Sequence, residues 1–140
     1  MDYLNLDHNL FTHLRASFPR EPDALFIWTP DGRSIPYSGL DDLTARFAAA
    51  LQQLGLVQGE RLLSLIDKSP EAILLYLAVL RLGAIFVPLN IAYTAREFRY
   101  FLEDARPKIV ILQPRSDSEY QQAAEDQGAR IATLDMRNGG

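Results

Sequence analysis

From Arg61 onward the sequence alternates short apolar runs with longer stretches of helical spacing, and this alternation limits the fold more than any other feature. Four apolar residues in a row, Ile109-Val110-Ile111-Leu112, are too few for a helix and too uniformly apolar for a strand wetted on one face. They suit a parallel sheet with helices on both faces. The same reading gives strands at Arg61 to Ile66, Ala84 to Val87 and Ile131 to Leu134. Helices at Glu71 to Leu82, Thr94 to Ala105 and Ser116 to Gln127 separate them, which makes a βαβαβαβ series of the α/β class.

The helix ends carry their own signals. Ser69-Pro70 offers an N-cap followed by proline at the first helical position. Thr94 with Glu97 and Ser116 with Glu119 read as capping boxes, and Pro107 and Gly128 act as stops. Ahead of this series, Asn9 to Phe18 places Leu10, Phe11, Leu14 and Phe18 on one side of a short helix that Pro19 ends. Ala24 to Trp28 and Ser34 to Tyr37 flank Pro30-Asp31-Gly32-Arg33, the pattern of a β-hairpin. Ser38 and Asp41 suggest a third capping box, opening a helix with Leu40, Leu43, Phe47, Leu51 and Leu54 on one stripe and Gly55 as its stop.

Composition excludes several classes. The 140 residues are 48% hydrophobic and 23% charged, the profile of one globular domain. A net charge of -4 without a basic stripe provides no field for a nucleic acid. The absence of cysteine removes disulfides, thiolate nucleophiles and cysteine-based zinc sites, and suits a cytoplasmic location. Met1 to Asp7 is acidic where a secretion signal would be basic and then apolar. The most apolar stretch, Ala72 to Leu89, holds Arg81, Gly83 and Pro88, so it reads as buried helix and strand, and no membrane span is expected.

No G-x-G-x-x-G is present, and Gly55-Leu56-Val57-Gln58-Gly59 precedes a strand where a phosphate loop would follow one. Asp67-Lys68-Ser69-Pro70-Glu71 does sit between a strand and a helix. It lacks glycines, and Pro70 removes a backbone donor, so Ser69 reads as an N-cap. His8 and His13 are five apart and fall on different faces, which rules out a metal pair of the i, i+4 kind. Asp41, Asp42, Glu103 and Asp104 read as solvated helix carboxylates. Tyr93, Phe98 and Tyr100 suggest stacking platforms, but Phe98 with Phe101 and Leu102 makes a helical core stripe, and the core reading is favoured.

The order of several strings carries a resemblance. Ile35-Pro36-Tyr37-Ser38-Gly39-Leu40 resembles the first core motif of adenylate-forming enzymes. Leu54-Gly55-Leu56-Val57-Gln58-Gly59-Glu60-Arg61-Leu62 is similar to their approach to the first long strand, with Glu60 where Asp is usual. Lys68-Ser69-Pro70-Glu71 resembles their "Asn-Ser-Pro-Glu" helix start, and Leu80 to Asn90 their second core motif, with Leu82 where Ala is commoner. Within the family, Lys68 to Glu71 and Leu89-Asn90-Ile91-Ala92-Tyr93-Thr94 most resemble malonyl-CoA synthetases.

The resemblance implies an ATP-dependent acid–CoA ligase: a carboxylate attacks the α-phosphate of Mg-ATP, and the thiol of coenzyme A then displaces AMP. It implies that residues 1–140 are part of the N-terminal, AMP-binding domain and end before the phosphate loop, in mid-fold after Arg137-Asn138-Gly139-Gly140. No catalytic, cofactor-binding or metal residue is expected within them. ATP, magnesium, CoA and a small acid such as malonate are then partners of the full-length enzyme. The remainder of such a ligase is expected to cover apolar surface left exposed here. Two other readings stay open: a self-contained flavodoxin-like or Rossmann-like nucleotide-binding module, and an interaction protein that docks on a ligase.

Overall fold

The computed structural model describes residues 8–114 and 116–135. The expectations for Met1 to Asp7 and for Arg137 to Gly140 lie outside the described residues. Eleven elements follow one another: α1 (Leu10–Ala16), β1 (Leu25–Trp28), β2 (Ser34–Pro36), α2 (Tyr37–Gln53), β3 (Arg61–Leu65), α3 (Pro70–Arg81), β4 (Ile85–Pro88), α4 (Ala95–Ala105), β5 (Ile109–Leu112), α5 (Ser118–Asp126) and β6 (Arg130–Thr133). Strands β3 to β6 form one parallel sheet in the order β4-β3-β5-β6, and β1 pairs with β2 as a separate antiparallel hairpin. The expected α/β class, hairpin and strand series are all present.

The side-chain alternation of the central strands explains why both faces are covered. Leu62, Ile109 and Ile111 point to α2 and α3, meeting Ala48, Leu51, Leu75, Ala78 and Val79. Leu63, Leu65, Val110 and Leu112 point to α4 and α5, meeting Phe98, Leu102, Ala123 and Ala124. Every residue of β5 is buried. A third cluster joins Phe11 of α1 and Leu40 of α2 to Leu74 and Leu77 of α3, with Phe26 and Tyr37 packed beside them, and so seats the hairpin on the helical layer. Phe26 and Tyr37 meet edge to face at 5.2 Å.

Several local expectations are corrected. Helix α1 ends at Ala16, three residues before Pro19. The Ser38 and Asp41 box does not form. Strand β2 stops at Pro36, whose extended φ of -74° and ψ of 155° makes it the N-cap, so helix α2 already begins at Tyr37. The Ser38 hydroxyl donates instead to Pro22 O at 3.3 Å. The Ser116 and Glu119 box fails for a similar reason. Asp117 takes the N-cap position of α5 without a side-chain cap, and Ser116 Oγ donates to Gln113 O at 2.9 Å. The Thr94 and Glu97 box does form, with both reciprocal hydrogen bonds, and Ser69 Oγ accepts from Ala72 N at 3.0 Å with Pro70 at the first position of α3.

Gly83 reverses the chain from α3 into β4 at φ +68°, and a Cβ there would stand 3.1 Å from Gln58 Cγ. Strand β4 then runs from Ile85 through Pro88, later than the expected Ala84 to Val87, and forms one edge of the sheet. Ile85 N and Leu89 N both donate inward, to Glu60 O and Ser64 O. By the alternation of a parallel ladder Phe86 and Pro88 therefore turn their backbone groups outward. Pro88 has no N–H, so the outer edge offers the Phe86 N–H alone.

Candidate functional site

The sheet order reverses direction at β3, which is flanked by β4 on one side and β5 on the other. In open α/β sheets the ligand crevice lies beyond the carboxyl ends of strands at such a reversal. A groove of about 880 Å³ opens beside that reversal, on its β4 side, at the ends of β3 and β4. Ser64 and Phe86 line it from the sheet, Ile66, Ile73 and Tyr76 from the β3–α3 connection and α3, Ile91 from the β4–α4 connection, and Ile27 from the hairpin. The Tyr76 ring tilts against Phe86 at 5.3 Å. Ser64 is only 2% exposed, so the groove is apolar with a hydroxyl near its base.

The β3–α3 connection does not fit a triphosphate. Lys68 N donates to Asp67 Oδ1 at 2.7 Å, Ala72 N to Ser69 Oγ at 3.0 Å, and Ile73 N to Ser69 O at 3.3 Å. Pro70 supplies no donor. The donors that a phosphate would need at a helix N-terminus are thus largely engaged by the loop itself. A smaller cavity of about 220 Å³ lies between the ends of β3 and β5, lined by Leu65, Gln113, Asp117 and Tyr120 among others. The Tyr120 hydroxyl spans that side by donating to Tyr93 O at 2.7 Å.

An ion pair ties the hairpin to α3. Arg33, at the end of the hairpin turn, places Nη1 2.6 Å from Glu71 Oε1 and Nη2 3.4 Å from Glu71 Oε2, in the first turn of α3. The hydrogen bond to Glu71 raises the Arg33 pKa further above its already high value. Thr29 donates to Asp31 and holds that carboxyl below the usual range, with Arg33 nearby adding to the effect. On the far side of the helical layer, Arg81 Nη1 lies 2.7 Å from Asp41 Oδ1, which lowers the Asp41 pKa, and Arg15 reaches the same oxygen at 3.3 Å. Asn9 caps α1 and also donates to Leu80 O at 2.9 Å, so this second group locks α1, α2 and α3 together.

The residues weighed in the sequence fall in separate places. His8 and His13 are both exposed, and Asp42, Glu103 and Asp104 sit on exposed helix faces. Asp41 departs from that expectation, because its ion pair with Arg81 makes it part of a helix junction. Phe98 and Leu102 are fully buried, Tyr93 stacks on Phe101 at 5.1 Å, and Tyr100 stands 64% exposed. Among the described residues no three His, Asp or Glu side chains come together as a metal site. No helix among the described residues is long and apolar enough to cross a membrane. Ser64, Tyr76 and the Arg33–Glu71 pair were missed by sequence reasoning. Only Ser64 carried a signal, as the one hydroxyl within Leu62-Leu63-Ser64-Leu65.

Residues 14–138 match the family described as AMP-binding enzyme. The chain belongs to this family. Solved structures with the same fold include ATP-bound MatB from Rhodopseudomonas palustris, which is 39% identical with a TM-score of 0.85 over 94% of this chain and 26% of that one. The 3-hydroxybenzoate–CoA/4-hydroxybenzoate–CoA ligase of Thauera aromatica is 38% identical over 92 residues, 66% of this chain and 18% of the ligase. Oxalate–CoA ligase of Arabidopsis thaliana is 33% identical over 104 residues, 68% of this chain and 20% of its own length. The chain thus spans about a fifth of the length of these two ligases. Within the matched residues the four family-like strings occupy junctions: the β2–α2 passage, the turn from α2 into β3, the start of α3, and the passage from α3 through β4.

Proposed function

We propose that this chain is the N-terminal portion of an ATP-dependent acid–CoA ligase, ending before the phosphate loop and silent in catalysis by itself. In the complete enzyme a small carboxylate attacks the α-phosphate of Mg-ATP, pyrophosphate leaves, and the thiol of CoA then displaces AMP from the acyl-adenylate. Malonate is the acid we propose, on the strength of the Lys68 to Glu71 and Leu89 to Thr94 strings. The cytoplasm is the proposed location.

The observation that carries this reading is the match of residues 14–138 to the AMP-binding enzyme family. The β3–α3 connection adds support for silence, because the backbone N–H groups of Lys68 and Ala72 are turned on the loop itself and Pro70 has none to offer a phosphate. Acid-dependent ATP–pyrophosphate exchange tests both halves. The isolated chain should give none with malonate; measurable exchange would overturn the proposed silence. A chimera in which this chain replaces the matched segment of MatB should exchange with malonate. A folded chimera that is silent with malonate and other short acids would overturn the ligase reading.

One observation favours a second reading. The strand order β4-β3-β5-β6 is that of the first four strands of a flavodoxin-like sheet, with a cavity at the β3/β5 reversal where such folds seat a nucleotide. Calorimetric titration of the chain with ATP, NAD and FMN decides it: saturable heat with any of them would favour this module over the ligase fragment.

A further inference from the structure

The groove at the ends of β3 and β4 is apolar, open and electrically neutral. Ile73, Tyr76 and Ile91 are 41%, 38% and 47% exposed around it, although side chains of this kind are usually buried. Its rim polar groups are already engaged within the chain: Asp67 Oδ1 accepts from Lys68 N, Ser69 Oγ from Ala72 N, and Asn90 Oδ1 from Ala92 N. Asp67 and Lys68 are the charged residues of its lining, one of each sign. Such a surface gains free energy from covering by apolar groups and little from an anion. Strand addition along β4 is hindered too, because Phe86 N–H is the one outward donor of that edge.

We propose that this groove face is the seat of the polypeptide that makes up the rest of an acid–CoA ligase, held by inserted apolar side chains and not by an added strand. The inference rests on the ligase reading above and adds to it the place of contact. The choice of occupant comes from MatB, in which the same fold is 26% of a longer chain, so further polypeptide is present to cover an apolar face.

The test compares the same substitutions in two settings, the isolated chain and the chimera with MatB. Ile73→Asp and Ile91→Asp replace side chains that face solvent in the isolated chain, so its thermal midpoint should shift by less than about 2 °C. In the chimera each should lower the midpoint by about 5 °C or more, because a carboxylate would then be buried against apolar groups. Tyr100→Asp, at a 64% exposed position on the other face of the sheet, should be tolerated in both. The dye bis-ANS should bind the wild-type isolated chain and lose most of that signal in the chimera.

A chimera active in pyrophosphate exchange but indifferent to both groove substitutions would overturn the inference while the ligase reading stands. So would a chimera sensitive only to Tyr100→Asp. An isolated chain that dimerises, becomes monomeric on Ile73→Asp and leaves the chimera unaffected would make a second copy the occupant, which also overturns it. A chimera that fails to fold would count against the fit of the two surfaces and overturn it as well.

Discussion

Arg33 grips Glu71 across 38 residues of sequence, with Nη1 2.6 Å from Oε1, and in doing so fastens the turn of the hairpin to the first turn of α3. The hairpin supplies one wall of the groove through Ile27, so this ion pair sets the position of that wall. Glu71→Arg should lower the thermal midpoint more than Glu71→Gln, because it places two cations together. The double exchange Arg33→Glu with Glu71→Arg should recover part of the loss. An unchanged midpoint in Glu71→Arg would mean that the hairpin is held by its apolar seat, Phe26, Ile35 and Tyr37 among it, and not by the ion pair.

Leu62→Ala should destabilise the fold by about 3 kcal/mol in urea or guanidinium unfolding. Leu62 is 0% exposed and lies in the cluster between the sheet and α2 and α3, where the surrounding side chains can collapse only partly into the space left. A loss under about 1 kcal/mol would show that this layer repacks freely.

Gly83→Ala should cost about 1 to 2 kcal/mol, from two separable sources. One is the left-handed φ of +68°, and the other is the 3.1 Å approach to Gln58 Cγ. Adding Gln58→Ala removes the second and not the first. Full recovery in the double variant would assign the whole effect to crowding.

Stability should fall in acid, in a window set by depressed carboxyls. Glu97 titrates below its ordinary value of 4.5 because Thr94 donates to it through backbone and hydroxyl. Asp126 is lowered chiefly by its hydrogen bonds from Gln122 and then Arg99, and Asp41 by Arg81. A carboxyl with a folded pKa below its unfolded pKa contributes fully above the unfolded value and loses that contribution as pH falls through the folded one. The thermal midpoint should therefore hold from pH 7 down to about 4.5 and fall below it. Glu97→Gln keeps an acceptor for Thr94 N and should flatten the descent. Thr94→Ala should cost about 1 kcal/mol at neutral pH through loss of the cap.

The strands and their faces were legible because β5 is buried on both sides and must be apolar throughout, which no exposed segment imitates. The Thr94 and Glu97 box was legible for the same kind of reason, since nothing upstream competed with it. The Ser38 and Ser116 boxes show the limit of a four-residue pattern. Pro36 already holds the backbone shape that starts α2, and Asp117 displaces Ser116 by one position, so the identity of a cap depended on its neighbours' dihedral angles. The groove was not legible at all. Ile27, Ser64, Ile73 and Phe86 come from separate elements, and only the strand order places them together. The partners Arg33 and Glu71 carried no mark of each other in the sequence.

Pro88 also governs how molecules of this protein would stack upon one another. Fibrils of the cross-β kind grow when each layer presents a full row of amide hydrogens to the next, and the β4 margin has one where a template needs several. Crowded chains driven together by their greasy groove should therefore gather as shapeless, dye-positive clumps and not as ordered fibres seeded at β4.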